Sequence, residues 1–234
     1  MIRTRKPKSR NKHSTATQLT FSKVSGWGGK RSGAGRPNRS GQVNHMKREK
    51  VKTSTPLHLT WRLKEDLVNL RCGDVLTLFK AASKRAKEFG LHVIHFSLQS
   101  NHIHLIVECR NNDCLKCGTR SLASSLGKGI RKITGGRGGV FAGRFDLKVL
   151  KNPTVVRNAM VYVLQNFSKH ARLLNHVDRY SSAPYFSQWR RLLGPRIGPI
   201  LAGMGSRSQG PQPEFLGQPT SWLAREGWLR ARLV

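Results

Sequence analysis

Between residues 56 and 170 the apolar residues switch between a spacing of two and a helical spacing, in an order that few folds can accommodate. Pro56 to Leu63 alternates with period two and predicts a strand. Asp74 is a plausible N-cap, after which Val75, Phe79, Ala82, Ala86 and Phe89 fall on one helical face until Gly90. Leu91 to Leu98 and His102 to Glu108 predict two further strands, with Gln99-Ser100-Asn101 as the turn of a hairpin. Ser121 opens a second helix, with Leu122, Leu126, Ile130 and Ile133 in register and Gly135-Gly136 as its stop. Phe145 to Leu150 predicts a fourth strand. Asn152 then caps a helix with Pro153 at its first position, running to about His170. The order β-α-β-β-α-β plus a helix defines an α+β class, a ferredoxin-like (RRM-like) antiparallel sheet with a long C-terminal helix.

Charge sets the organisation around that core. The 234 residues carry 43 Lys and Arg against 11 Asp and Glu, a formal charge of +32, which points to a polyanionic partner. Residues 1–50 are a basic arm with little to bury, expected to be disordered. Its Gly35-Arg36-Pro37 suits a narrow DNA minor groove or serves only as a solubilising tail. Residues 51–189 form the predicted domain and are themselves basic. Residues 190–234 are a Gly- and Pro-rich extension, ending in a short Trp-containing segment expected to dock as a helix. No stretch approaches a membrane span, and the basic N-terminus lacks the apolar core of a secretory signal. Four cysteines are too few for a disulfide scaffold. The expected location is the cytoplasm, at the nucleoid.

The candidate chemistry sits on two elements. On a strand, residues i and i+2 share a face, so His102 and His104 project together while Ile103, Leu105 and Val107 pack the other side. Such a pair can bind one divalent cation or be two incidental histidines. The long helix has an apolar stripe of Val155, Val156, Ala159, Met160, Val163, Leu164, Phe167 and Ala171. Tyr162 and Asn166, four residues apart, share one edge of it, and Gln165 lies further round. Glu108 shares the histidines' face and is expected to touch a bound cation or to form a salt bridge. Lys128, Arg131, Lys132 and Arg137, with Arg144 and Lys148, are expected to form a phosphate-binding surface at the sheet edge. Cys109, Cys114 and Cys117 have half the spacing of a zinc knuckle, needing Cys72 or a histidine to complete it, and otherwise are reduced thiols in a loop. Tyr180 and Tyr185 lie in a turn-like stretch and are expected to pack structurally.

His102-Ile103-His104 on a strand, followed by a helix reading Tyr162-Val163-Leu164-Gln165-Asn166, resembles the HUH single-tyrosine transposases, and within them the IS200-like and REP-associated tyrosine transposases. Gln99 to Leu105 and Gly143-Arg144-Phe145 fit the same pattern, which spans roughly residues 55–185. The resemblance implies that His102 and His104 ligate Mg²⁺ or Mn²⁺, with Asn166 (or Gln165) as third ligand. It makes Tyr162 the nucleophile, forming a 5′-phosphotyrosine on single-stranded, hairpin-bearing DNA. Whether the chain works alone or as a homodimer is left open. Two rivals are a replication-initiator or relaxase type of HUH nickase, and a non-catalytic, domesticated or decayed nucleic-acid-binding protein. A third is an RNA-associated zinc protein.

Overall fold

The computed structural model describes residues 49–52, 55–65, 67, 69–170, 177–194 and 213–231. Arg36 and the remainder of the arm to residue 48, Ala171 of the apolar stripe, and the Gly/Pro-rich stretch 195–212 lie outside the described residues.

Four strands form one sheet in the order β2-β3-β1-β4, every neighbouring pair antiparallel. They are β1 (Leu57–Arg62), β2 (Leu91–Leu98), β3 (His102–Cys109) and β4 (Asp146–Val149). Helices α1 (Gly73–Glu88) and α2 (Asn112–Thr134) connect them, and α3 (Pro153–His170) follows. This is the α+β sheet and connectivity that the hydrophobic periods predict.

The alternation of the strands assigns the two faces. Leu57, Leu59 and Trp61 of β1 and Ile103, Leu105 and Val107 of β3 join α1 and α2 in one apolar cluster, with Phe79, Leu122, Leu126 and Ile130 at its centre. On the opposite face Ile94 and Ile106 meet Val156, Met160, Val163 and Leu164 of α3. A bulge between Val93 and His95 breaks the parity of β2, so that Val93 and Phe96 both face α1 and α2 while Ile94 faces α3.

Three boundaries depart from the sequence reading. The strand expected from Phe145 is confined to Asp146–Val149, and Asp74 lies in the first turn of α1 rather than at its cap. The largest departure is α2, which starts at Asn112, well before Ser121, with the Asn111 side chain accepting from Cys114 N at 2.9 Å. Its added turns bury Leu115, Gly118 and Thr119 in step with Leu122. Small residues make that face, because a Cβ on Gly118 would meet Leu91 Cβ at 2.2 Å. Hydrophobic periodicity does not register such a face.

Beyond α3 the chain returns across the sheet. Ser182 N donates to Phe96 O and Leu98 N to Tyr180 O, so residues 180–182 cover the β2 edge, which Gly217 N also reaches at Val93 O. Helices α4 (Trp189–Leu193) and α5 (Trp222–Arg225) and the 3₁₀ turn Gly227–Arg230 then pack over the outer side of α3, burying Trp189 and Trp228. No helix among the described residues is long and apolar enough to cross a membrane.

Candidate active site

Because β1 and β3 are neighbours with Thr60 opposite His104 and Arg62 opposite His102, the α3 face of the sheet carries a polar row rather than an apolar one. The imidazoles of His102 and His104 lie side by side, ring centroids 4.7 Å apart. Each has its Nδ1 engaged: His104 at 3.2 Å from Thr60 Oγ1, and His102 at 2.8 Å from Asn101 Oδ1. When Nδ1 carries the proton, as it does in donating to Asn101, the lone pair falls on Nε2.

Helix α3 brings the tyrosine to this pair. Asn152 caps it through Val155 N at 2.9 Å, Pro153 starts it, and its stripe seats on Ile94 and Ile106. Tyr162 stands at the stripe's edge, 43% exposed, its hydroxyl 3.4 Å from His104 Nε2 and its ring edge-on to that imidazole. The three side chains that the sequence singled out therefore meet in one chain. Asn166, one turn on, is buried, and neither polar atom of its amide has a hydrogen-bond partner among the described residues. Gln165 is only partly buried.

Tyr162, His102 and His104 line an open cleft of about 1100 Å³. The sequence reading missed several of its other walls: His58, Thr60 and Arg62 from β1, Asp146 from β4 and Asn158 from α3. The period-two alternation of Leu57 to Arg62 held the signal, since it sets His58, Thr60 and Arg62 on one face. His58 stacks on His104 at 5.4 Å and meets the Tyr162 ring edge-on at 5.9 Å. Burial holds its pKa below the ordinary histidine value, Lys148 lowers it further, and Asp146 opposes both.

The predicted basic surface is divided by the fold. Arg144 and Lys148 line the cleft with Arg62, so three cations face it against the single carboxylate of Asp146. Two strand-like bonds, Lys64 N to Val140 O and Ala142 N to Arg62 O, tie down the segment that presents Gly143 and Arg144. Lys128 and Lys132 belong to α2, which packs on the other face of the sheet. Arg131 instead donates to Gly138 O and Gly139 O, closing the glycine loop, and Arg137 is exposed within that loop.

Two further expectations change. Among the described residues Glu108 makes neither a salt bridge nor a contact in the cleft: its buried carboxylate accepts from the backbone and side chains of Thr220 and Ser221. The cysteines are not in a loop. Cys114 and Cys117 sit in the first turns of α2 and Cys109 ends β3. Burial, then Cys114 and Glu108, push the Cys109 thiol up to about 12. Among the described residues no three His, Cys, Asp or Glu side chains converge to hold a metal, and the histidine pair contributes only two.

Among solved structures, the chain is similar to a REP-associated tyrosine transposase bound to a REP hairpin, at 15% identity over 60% of this chain and 82% of that one, with a TM-score of 0.49. It is also similar to a protein from Deinococcus radiodurans R1 whose assignment as a transposase is provisional, at 13% identity over 55% and 96%, with a TM-score of 0.36. No family model and no curated protein matches. At these values the functional reading rests on the cleft itself.

Proposed function

We propose that the chain is a single-tyrosine transposase that cleaves and rejoins single-stranded DNA at hairpin-flanked sites. The observation that carries this reading is the approach of the Tyr162 hydroxyl to His104 Nε2 beside His102, in an open cleft walled by Arg62, Arg144 and Lys148. A hydroxyl, two imidazoles and three cations in a groove open enough for a strand suit transfer of a phosphodiester.

In the reaction the Tyr162 oxygen attacks phosphorus, the P–O bond to the tyrosine forms and the bond to the 3′ oxygen breaks. The tyrosyl proton is lost and the departing oxygen takes one up, leaving a 5′-phosphotyrosine and a free 3′-hydroxyl. The ester bond is exchanged rather than hydrolysed, so a 3′-hydroxyl can reverse the step without an energy source. Arg62, Arg144 and Lys148 hold the strand by its phosphates. Tyr162, His102, His104 and the three cations all come from one chain in this arrangement.

A divalent cation, Mg²⁺ or Mn²⁺, suits the donors present. Nδ1 engagement by Asn101 and Thr60 orients both imidazoles in the way that second-shell partners orient ligands. We assign the third donor of such a site to the buried Asn166 amide, one turn on from Tyr162 and with no partner for its oxygen among the described residues. When bound, the cation supplies charge for the phosphate oxygens and lowers the barrier to attack by a phenol whose ordinary pKa is about 10.

The test is capture of the intermediate. Purified protein is mixed with single-stranded oligonucleotides from the hairpins flanking its own gene, with Mg²⁺ or Mn²⁺, and run on a denaturing gel. A protein–DNA band lost in both Tyr162→Phe and His102→Ala is the expected result. Tight binding of the same strands without any adduct would instead support a non-catalytic binding protein.

A further inference from the structure

His104 has two ring nitrogens and three claims on them. Thr60 Oγ1 engages Nδ1, and the Tyr162 hydroxyl lies at Nε2. A cation held by His102 and His104 in the reading above needs that same Nε2, and one lone pair cannot serve both. With Nε2 taken by the cation, the hydroxyl is left to water or to another acceptor in the cleft. His58 offers one. Its ring meets the edge of the Tyr162 ring at 5.9 Å, it stacks on His104, and its Nε2 is buried with no hydrogen-bond partner among the described residues. A buried, unpartnered ring nitrogen in a polar cleft calls for an explanation. Lys148 and Asp146 are the charged groups that bear on His58, and neither is hydrogen-bonded to that nitrogen.

We propose that His58 is the second seat of the nucleophile: its Nε2 accepts the Tyr162 hydroxyl when a divalent cation occupies His104. The shift of the hydroxyl from one imidazole to the next couples cation binding to the placement of the attacking oxygen. His58 is thus a positioning residue that acts through Tyr162. The inference rests on the cation site of the preceding section, and its consequences are separable from that site's existence.

The experiment is a double-mutant cycle on the full chain, read by Mn²⁺ affinity in calorimetry and electron paramagnetic resonance, without DNA. His58→Phe keeps a ring against His104 but has no acceptor, so the hydroxyl loses its second seat. It is expected to weaken Mn²⁺ binding by roughly two- to tenfold when Tyr162 is present, the weight of one hydrogen bond. It should leave affinity unchanged in a Tyr162→Phe background. His58→Gln, which restores an acceptor, should bind within about twofold of the original chain. Equal losses in both backgrounds, or none in either, would overturn the second seat while leaving the cation site standing. No Mn²⁺ binding by any variant would overturn the cation site and this inference with it. A second measurement needs no substitution: with three tyrosines in the chain, ¹³C-labelled tyrosine gives a countable spectrum. The Tyr162 ring signal should shift as Mg²⁺ is added, and a signal unmoved at saturation would overturn the proposal.

Discussion

Replacing Glu108 by Gln tests how the C-terminal segment is held. The carboxylate is 3% exposed on β3 and sits among four donors. Oε2 accepts from Thr220 N at 2.6 Å and Thr220 Oγ1 at 2.8 Å, and Oε1 accepts from Ser221 Oγ at 2.5 Å and Ser221 N at 3.2 Å. Gln keeps the volume and one oxygen, and turns the other into an NH₂ that faces a donor pair. The hydroxyl of that pair can rotate to accept, but the backbone N–H cannot. One buried N–H is stranded at about 1–3 kcal/mol, and the surviving bonds lose their charge assistance, so the loss is about 2–4 kcal/mol. It should not spread evenly. Ser221 also caps α5 through Ala224 N, so residues 213–231 should open first while the apolar clusters of the sheet stay closed. Native-state hydrogen exchange then shows protection in 217–231 falling by about 30-fold or more, the equivalent of 2 kcal/mol, with the β3 amides little changed. A fall of less than about threefold there would refute the assignment of Glu108 as the anchor.

Two other predictions concern stability. Burial against Phe186 and Ser182 holds His95 at about 4 in the folded chain, against 6.5 ordinarily. The unfolded chain therefore takes up a proton first as pH falls. Stability is intact above about pH 6.5 and drops by up to ~3 kcal/mol by pH 4, read as a falling urea midpoint, and His95→Phe should flatten most of that slope. Two glycines of α2 should respond with opposite signs. Gly118→Ala drives a Cβ into Leu91 and should cost about 1–3 kcal/mol. Gly127→Ala meets nothing within 4 Å and should gain about 0.5–1 kcal/mol, both measured by denaturant titration.

Legibility followed the physics of each element. The hairpin of β2 and β3 and the helix from Pro153 could be read because an apolar alternation and an Asn-Pro cap announce them locally. The His102–His104–Tyr162 cluster was readable because a two-residue and a four-residue spacing each fix a face. Its other half was not. His58 and Arg62 enter the site only through the pairing of β1 with β3, a contact across more than 40 residues that no local pattern declares. The start of α2 was hidden because Gly118 and Thr119 bury a helix face without hydrophobic side chains. Counting charge failed in a different way. A basic composition says that cations are abundant, but only the fold decides that Arg144 faces the cleft while Arg131 is spent on the carbonyls of Gly138 and Gly139.

The position of Tyr162 raises a last question, since its side chain is 43% exposed and meets His58 and His104 on one side. The role proposed for Tyr162 asks that its oxygen be held to within about 0.5 Å, and the α3 backbone is one source of that constraint. The sheet supplies one side of it through Ile94 and Ile106. Arg157 supplies the other. Its guanidinium is buried and donates to Arg191 O and Leu192 O, and to Trp228 O and Ala231 O, the carbonyls that end α4 and the last 3₁₀ turn. The last carbonyls of a helix lack onward partners within it, although Trp228 O also accepts from Ala231 N, and a cation at two C-terminal ends is favourable to both. One side chain thus joins the tyrosine helix to two elements of the extension, and Glu108 anchors the same extension to β3. The histidine strand and the tyrosine helix are therefore linked twice: directly across the cleft, and by a longer route through Thr220, Ser221, Trp228 and Arg157. On that argument the C-terminal segment braces both the strand that carries His104 and the helix that carries Tyr162.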